Sequence, residues 1–197
     1  MKNPRNILAK ISAAVVVVLA VAGGAVAKRH SDPAFSNIHI RNFGKMDDRF
    51  YRGAQPDESD YKDLKALGIH TVIDLTDHPT SYEKRDVEAL GMRYVSIPMS
   101  DSSYPKDDQI NAFLKLVNNP ATGKFFAHCA GGRHRTGVMG AVYRFNVNHW
   151  NFDQAYAEMK DYDFYTRFGH GDLKTFVEDY AQKMQTNGAA AATANKQ

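Results

Sequence analysis

Short apolar runs bounded by glycine or proline alternate with longer stretches whose apolar residues recur every three or four positions. That alternation predicts strands and helices laid down in turn. Ile38–Phe43 and Arg49–Arg52 read as short strands, followed by a helix over Asp57–Leu67 that stops at Gly68. Ile69–Leu75 is a buried strand, Tyr82–Leu90 a short helix ended by Gly91, and Met92–Ile97 a strand closed by Pro98. Pro105 opens a helix over Lys106–Val117, and the strand Lys124–His128 runs straight into glycines. Helices follow over Thr136–Trp150, from a capping box at Asn151-Phe152-Asp153-Gln154, and over Asp172–Met184. The pattern is that of an α/β fold: a single domain with a small, mostly parallel central sheet flanked by helices on both faces.

The two ends of the chain depart from this pattern. Lys2, Arg5 and Lys10 precede an uninterrupted apolar run, Ile11–Ala22, and Ala25-Val26-Ala27 gives the small-x-small pattern of a signal-peptidase site. Residues 1–27 therefore read as a signal peptide or, uncleaved, as an N-terminal membrane anchor through residues 11–27. Either form leaves the domain, residues 28–185, outside the cytoplasm, exported to the cell envelope or tethered to its membrane. Residues 186–197 form a low-complexity tail, expected to fray.

Composition narrows the function. The 197-residue chain carries a net charge of +3, all of it in the leader, so the rest has 22 charges of each sign. A neutral domain gives no support to nucleic-acid binding. With one cysteine there is neither a disulfide framework nor a multi-cysteine zinc site. His39, His70, His78, His149 and His170 show no ligand spacing, and no metal or cofactor is expected.

The chemistry concentrates in His128-Cys129-Ala130-Gly131-Gly132-Arg133-His134-Arg135-Thr136-Gly137, read as strand, loop and helix. Backbone N–H groups of a glycine-rich turn and of a helix start converge on one point, which is an anion site before any side chain contributes. The same field favours thiolate over thiol: a free cysteine titrates near 8.5, and such surroundings lower it to about 3.5–7.5. Arg135 can fold back and offer parallel donors to two oxygens of a phosphate. A nucleophile on the floor of an oxyanion cradle suits phosphoryl transfer, with Cys129 taking the phosphoryl group.

This stretch resembles the cysteine-dependent protein tyrosine phosphatases, whose His-Cys-x-x-Gly-x-x-Arg-Ser/Thr signature is filled by His128, Cys129, Gly132, Arg135 and Thr136. Phe43–Pro56, Ile73-Asp74-Leu75, Ile97-Pro98-Met99 and Trp150–Asp163 are similar to the compact dual-specificity branch in its bacterial form, so that the likeness covers about residues 40–180. The resemblance implies a dual-specificity phosphatase-like fold and a metal-independent phosphatase. Cys129 would be the nucleophile, and Ala130, Gly131, Gly132, Arg133, His134 and Arg135 the phosphate-binding loop. His128 would orient that loop through hydrogen bonds to backbone and help hold Cys129 ionised. Thr136 would ease departure of the thiolate. The general acid it implies is best matched by Asp101, in Asp101-Ser102-Ser103-Tyr104-Pro105, with Asp107 and Asp108 as rivals in the first turn of the next helix.

The expected substrate is a phosphorylated protein or a small phosphorylated molecule. Arg133 and His134 either line a solvated loop or make the pocket cationic enough for inositol phosphates, the alternative substrate class. A catalytically idle phosphate-binding module is the non-enzymatic alternative. Arg52 is read as structural, buttressing the phosphate loop or pairing with Asp74. Tyr156, Tyr162, Phe164, Tyr165 and Phe168 are read as core or as a lid over the pocket mouth.

Overall fold

A computed structural model of the chain describes residues 35–194. The leader read over residues 1–27 lies outside the described residues. Among the described residues five strands form one sheet: β1 (Gly44–Lys45), β2 (Phe50–Ala54), β3 (Ile69–Asp74), β4 (Arg93–Ser96) and β5 (Lys124–Cys129), in the order β1-β2-β5-β3-β4. Only β1 runs antiparallel to its neighbour; the other pairs are parallel. Among the described residues six α-helices accompany the sheet: α1 (Asp60–Ala66), α2 (Glu83–Ala89), α3 (Asp107–Val117), α4 (His134–Val147), α5 (Phe152–Asp161) and α6 (Gly171–Ala194). The expected α/β fold with a small, mostly parallel sheet is present.

The period-two geometry of the strands divides the core. On β5, Phe125 and Ala127 face a cluster built with α3, α4, α5 and α6, whereas Phe126 faces a second cluster built with α1 and α2. Helices cover both faces, as parallel strands require. β5 lies between β2 and β3, and all three end on the same edge: Ala54 lies beside Cys129, and Asp74 and Gly53 flank His128. That edge is where ligands collect in open α/β sheets.

Two expected elements differ. Ile38–Phe43 alternates as a strand would, and Ile38, Ile40 and Phe43 are buried, yet the segment forms no ladder. It covers the second core cluster as an irregular strap, turning at Asn42 (φ 52°) and accepting from the Ala54 amide on the Arg41 carbonyl. At the other end, α6 runs to Ala194, ten residues beyond the Met184 stop, because the alanine-rich tail continues the helix where fraying was expected. Among the described residues, no helix is long and apolar enough to cross a membrane.

The α4–α5 packing is locked by a buried ion pair. Arg144 donates to Glu158 at 2.5 and 3.0 Å, to the Met46 carbonyl at 2.9 Å and to Asn148 Oδ1 at 2.9 Å, and lies 4.1 Å over the Trp150 ring. Removing one partner of such a pair leaves a buried charge uncompensated, at a cost of about 3–5 kcal/mol. Glu158→Gln should therefore lower the unfolding free energy in a urea titration by about 3 kcal/mol; a change under about 1 kcal/mol would mean that the pair is dispensable.

Candidate active site

β5 delivers Cys129 to the sheet edge with 3% of its surface exposed, and the chain then turns through Ala130–Arg133 into α4. Gly132 permits that turn. It has φ +66°, and a Cβ there would lie 2.5 Å from the Gly53 carbonyl carbon and 2.6 Å from the Ala54 nitrogen. The loop therefore rests directly on the backbone of β2, which only glycine allows.

Around the sulfur, burial pushes the Cys129 thiol up, but the Thr136 hydroxyl, the Thr136 amide, the Arg135 charge and the Gly131 amide outweigh it. The thiol is left below its ordinary range, as expected for a sulfur at a helix N-terminus. Cys129, Gly131, Arg135 and Thr136 are thus brought together as the sequence predicts.

Arg135 is buried, and its Nη1 donates to Asp77 Oδ1 at 2.7 Å and to the Met99 carbonyl at 3.2 Å. Its Nε–Nη2 edge makes no hydrogen bond with the described residues, and this is the fork that matches two phosphate oxygens. Asp77, missed in the sequence, sits just beyond the end of β3, where no periodicity marks it. A burial penalty raises its carboxyl, while its own amide and the Arg135 guanidinium bring it below the usual carboxylate range. An acid held ionised in this way orients the arginine and is poorly suited to give up a proton.

His128 is fully buried, and its partner is a side chain: Nε2 lies 2.7 Å from Glu83 Oε1, at the start of α2. Burial pulls the imidazole toward neutrality, and Glu83 with Asp74 raises it above its ordinary value. Glu83 also accepts from Gln55 Nε2 at 2.9 Å, while Asp74 accepts from the Tyr94 hydroxyl and the Thr76 amide, both at 2.8 Å. The donor atoms of Asp74, Glu83 and His128 lie within 4.8 Å of one another; both Asp74 oxygens and Glu83 Oε2 accept the hydrogen bonds just given, and Glu83 Oε1 faces His128 Nε2. The alternative pairing of Arg52 with Asp74 does not occur; Arg52 Nη2 donates to the Gly132 carbonyl at 2.7 Å.

Arg133 is partly exposed, while His134 is buried, its ring stacked on His170 at 3.6 Å and its Nε2 3.1 Å from the Tyr165 carbonyl. Burial, then the neighbouring His170, push His134 down to about 4, so at neutral pH it adds no positive charge. The same His170 places Nδ1 2.7 Å from the Asp101 carbonyl, which makes that nitrogen the donor. Asp101 is exposed, in a loop where Ser100 Oγ accepts from the Ser102 and Ser103 amides, and its charge is felt by His134. Asp107 lines a separate groove between α3 and α6 beside Asn111 and Lys183, and Asp108 accepts from the Gln109 amide in the first turn of α3. The aromatic group divides: Tyr162 and Phe164 are core, Tyr165 packs on His134, and Phe168 is 84% exposed.

Residues 37–196 match the Tyrosine phosphatase family. The chain is 26% identical over 151 residues to the probable tyrosine-protein phosphatase DG1060 of Dictyostelium discoideum, covering 74% of this chain and 87% of that protein. It is 28% identical over 158 residues to the dual specificity protein phosphatase TpbA of Pseudomonas aeruginosa, covering 78% of this chain and 67% of TpbA. The crystal structure of P. aeruginosa TpbA superposes with a TM-score of 0.66 at 23% identity, over 85% of this chain and 98% of that one. Inositol diphosphatase DSP1 of Oryza sativa subsp. japonica is 27% identical over 148 residues, covering 68% of this chain and 66% of that protein.

Gly132 tests the loop. Gly132→Ala forces a left-handed alanine, at about 1–2 kcal/mol, and drives a methyl into the β2 backbone. The variant should lose more than about 2 kcal/mol of unfolding free energy in urea, with binding of inorganic phosphate weakened at least about tenfold. Unchanged phosphate affinity would show that the loop does not need this close approach.

Proposed function

We infer that this chain, which belongs to the Tyrosine phosphatase family by its match over residues 37–196, hydrolyses phosphomonoesters through a cysteinyl-phosphate intermediate, with phosphorylated proteins as the leading substrate class. The observation that carries this reading is the buried Cys129 sulfur, faced by the Gly131 and Thr136 amides, the Thr136 hydroxyl and the Arg135 charge. A thiolate held there needs no further activation, and amides aimed at developing negative charge are the strongest contribution such a site makes.

The steps follow from the placement of the groups. The free edge of Arg135 clamps two phosphate oxygens, and loop amides take the remaining charge. The Cys129 thiolate attacks phosphorus; an S–P bond forms as the P–O bond breaks, and the leaving oxygen takes the proton of Asp101. Water then attacks phosphorus and passes its proton to the Asp101 carboxylate. The S–P bond breaks with its electron pair returning to sulfur, where the Thr136 hydroxyl stabilises it. Asp101 suits the acid role because its loop is exposed and shares the His134–His170 stack with the phosphate loop. Asp107 and Asp108 are committed to α3, and Asp77 is held ionised by Arg135.

A second reading, hydrolysis of inositol phosphates by the same steps, is supported by the likeness to an inositol diphosphatase and by the partly exposed Arg133 in the loop. A panel of phosphopeptides against inositol phosphates separates the two. We also propose that the domain acts outside the cytoplasm, on the strength of the basic start and apolar run of residues 1–27. An envelope fraction should yield a mature chain beginning near Lys28 or an intact anchored one; a purely cytoplasmic full-length chain would refute export.

The purified protein should hydrolyse an aryl phosphate in EDTA and fall to background as Cys129→Ser; persistent turnover in that variant would refute the nucleophile. Asp101→Ala should lower kcat about 100-fold on phosphopeptides, whose leaving groups need a proton, and far less on p-nitrophenyl phosphate. An unchanged profile would return the acid role to Asp107 or Asp108.

A further inference from the structure

Arg52 is a fully buried cation that the reaction steps leave unused. β2 sets it beside Ala127 of β5, two residues short of the Ala54–Cys129 pairing, and 1% of it is exposed. Nη2 donates to the Gly132 carbonyl at 2.7 Å, and the guanidinium carbon lies 4.0 Å from the centre of the Tyr162 ring. Its Nε has no hydrogen-bond partner among the described residues. Nor does any carboxylate among them come within 4.0 Å of it.

A guanidinium does not shed its proton in a protein, so this group stays charged. An ion taken out of water without a partner is costly, and buried charges are normally paired. The acid that acts on Arg52 is Glu158, but both Glu158 oxygens are held by Arg144, so that pair is already neutral. The other ionisable groups at this edge have partners of their own: His128 lies against Glu83, Arg135 against Asp77, and Asp74 accepts from the Thr76 amide and the Tyr94 hydroxyl. Tyr162, Glu158 and Cys129 favour the charged Arg52, in that order; Glu158 is held by Arg144, and the Cys129 sulfur is the next group that gains from the cation when it carries a negative charge.

We propose that Arg52 is a positioning residue for the reaction: it holds the Gly132 carbonyl turned away from the anion cradle and adds, to the charge of Arg135, a second buried positive charge that favours the Cys129 thiolate. The two tasks are coupled by geometry. A peptide whose C=O is fixed from below by a cation cannot rotate its oxygen toward an incoming phosphate, so the loop keeps only donors on its upper side. Tyr162, whose ring face lies against the guanidinium, offers a negative π-surface without a competing full charge. Arg52 touches no substrate and acts through the loop. The inference rests on Cys129 being the nucleophile.

Because the chain has one cysteine, alkylation by iodoacetamide reads Cys129 alone. In the full chain, the rate against pH gives the thiol midpoint, and competition by inorganic vanadate gives anion affinity. Arg52→Gln keeps a donor for Gly132 and removes the charge; Arg52→Lys keeps the charge and loses the planar fork; Arg52→Met loses both. The expected result is a midpoint raised by about one pH unit, a tenfold change in the ionisation constant, in Gln and Met. Lys should leave it within a few tenths of a unit of wild type, with vanadate binding weakened severalfold. A merely structural arginine would lower thermal stability and kcat while leaving the midpoint where it is in Gln, and that result overturns the proposal. If Met fails to fold by circular dichroism, Gln and Lys still decide. A wild-type midpoint near the ordinary cysteine value of about 8.5 would instead sink the nucleophile assignment itself.

Discussion

A sulfur buried at the edge of a sheet has almost no water to stabilise negative charge on it, and the groups around Cys129 answer that constraint. Burial alone would keep the thiol protonated. What reverses the sign is a set of fixed donors, the Thr136 hydroxyl and amide and the Gly131 amide, with the Arg135 charge beside them. Fixed dipoles serve this purpose better than water because they do not have to reorient when charge moves onto or off the sulfur.

The fold supplies those donors by bringing three parallel strands to one edge. β5 carries the nucleophile, β2 the backbone on which Gly132 rests, and β3 leads to the acid that orients Arg135. A change of register in any one pair would flip alternate side chains to the other face and separate His128 from Glu83 or Cys129 from its cradle. Two carboxylates, Glu83 and Asp77, are each spent on a side chain of the signature, His128 and Arg135. The signature by itself therefore describes half of the site; the other half is the set of partners that fix its rotamers.

That division also explains what the sequence made legible. The strand–loop–helix around Cys129 is local in sequence, with its glycines and its arginine at fixed spacing, so the cradle could be read without knowing the fold. Glu83, Asp77 and the contact of Arg52 with Gly132 lie 45, 58 and 80 residues from the groups they touch. No periodicity marks them, because each is defined by which strands become neighbours. The misread strand at Ile38–Phe43 has the same cause: alternation reports burial, which is present, whereas a strand also needs a free ladder edge. His170, set aside for want of ligand spacing, matters through stacking on His134 and through the Asp101 carbonyl, neither of which spacing can show.

The same stack bears on substrate choice. In sequence, Arg133-His134-Arg135 looks like a dense positive run suited to a polyanion. In the fold, Arg135 shares its charge with Asp77, and His134 is held neutral by burial and by His170, so Arg133 alone is left to reach beyond the phosphate being cleaved. One partly exposed arginine adds a weak, screened attraction. A phosphorylated side chain of a protein asks for no more than that, since its remaining surface is polypeptide. A ring bearing several phosphates would need further cations, and the exposed Arg167 beside Tyr165 and Phe168 is where the same face of the domain offers one. The balance between the two substrate classes thus turns on charges outside the signature, while the chemistry at sulfur is common to both.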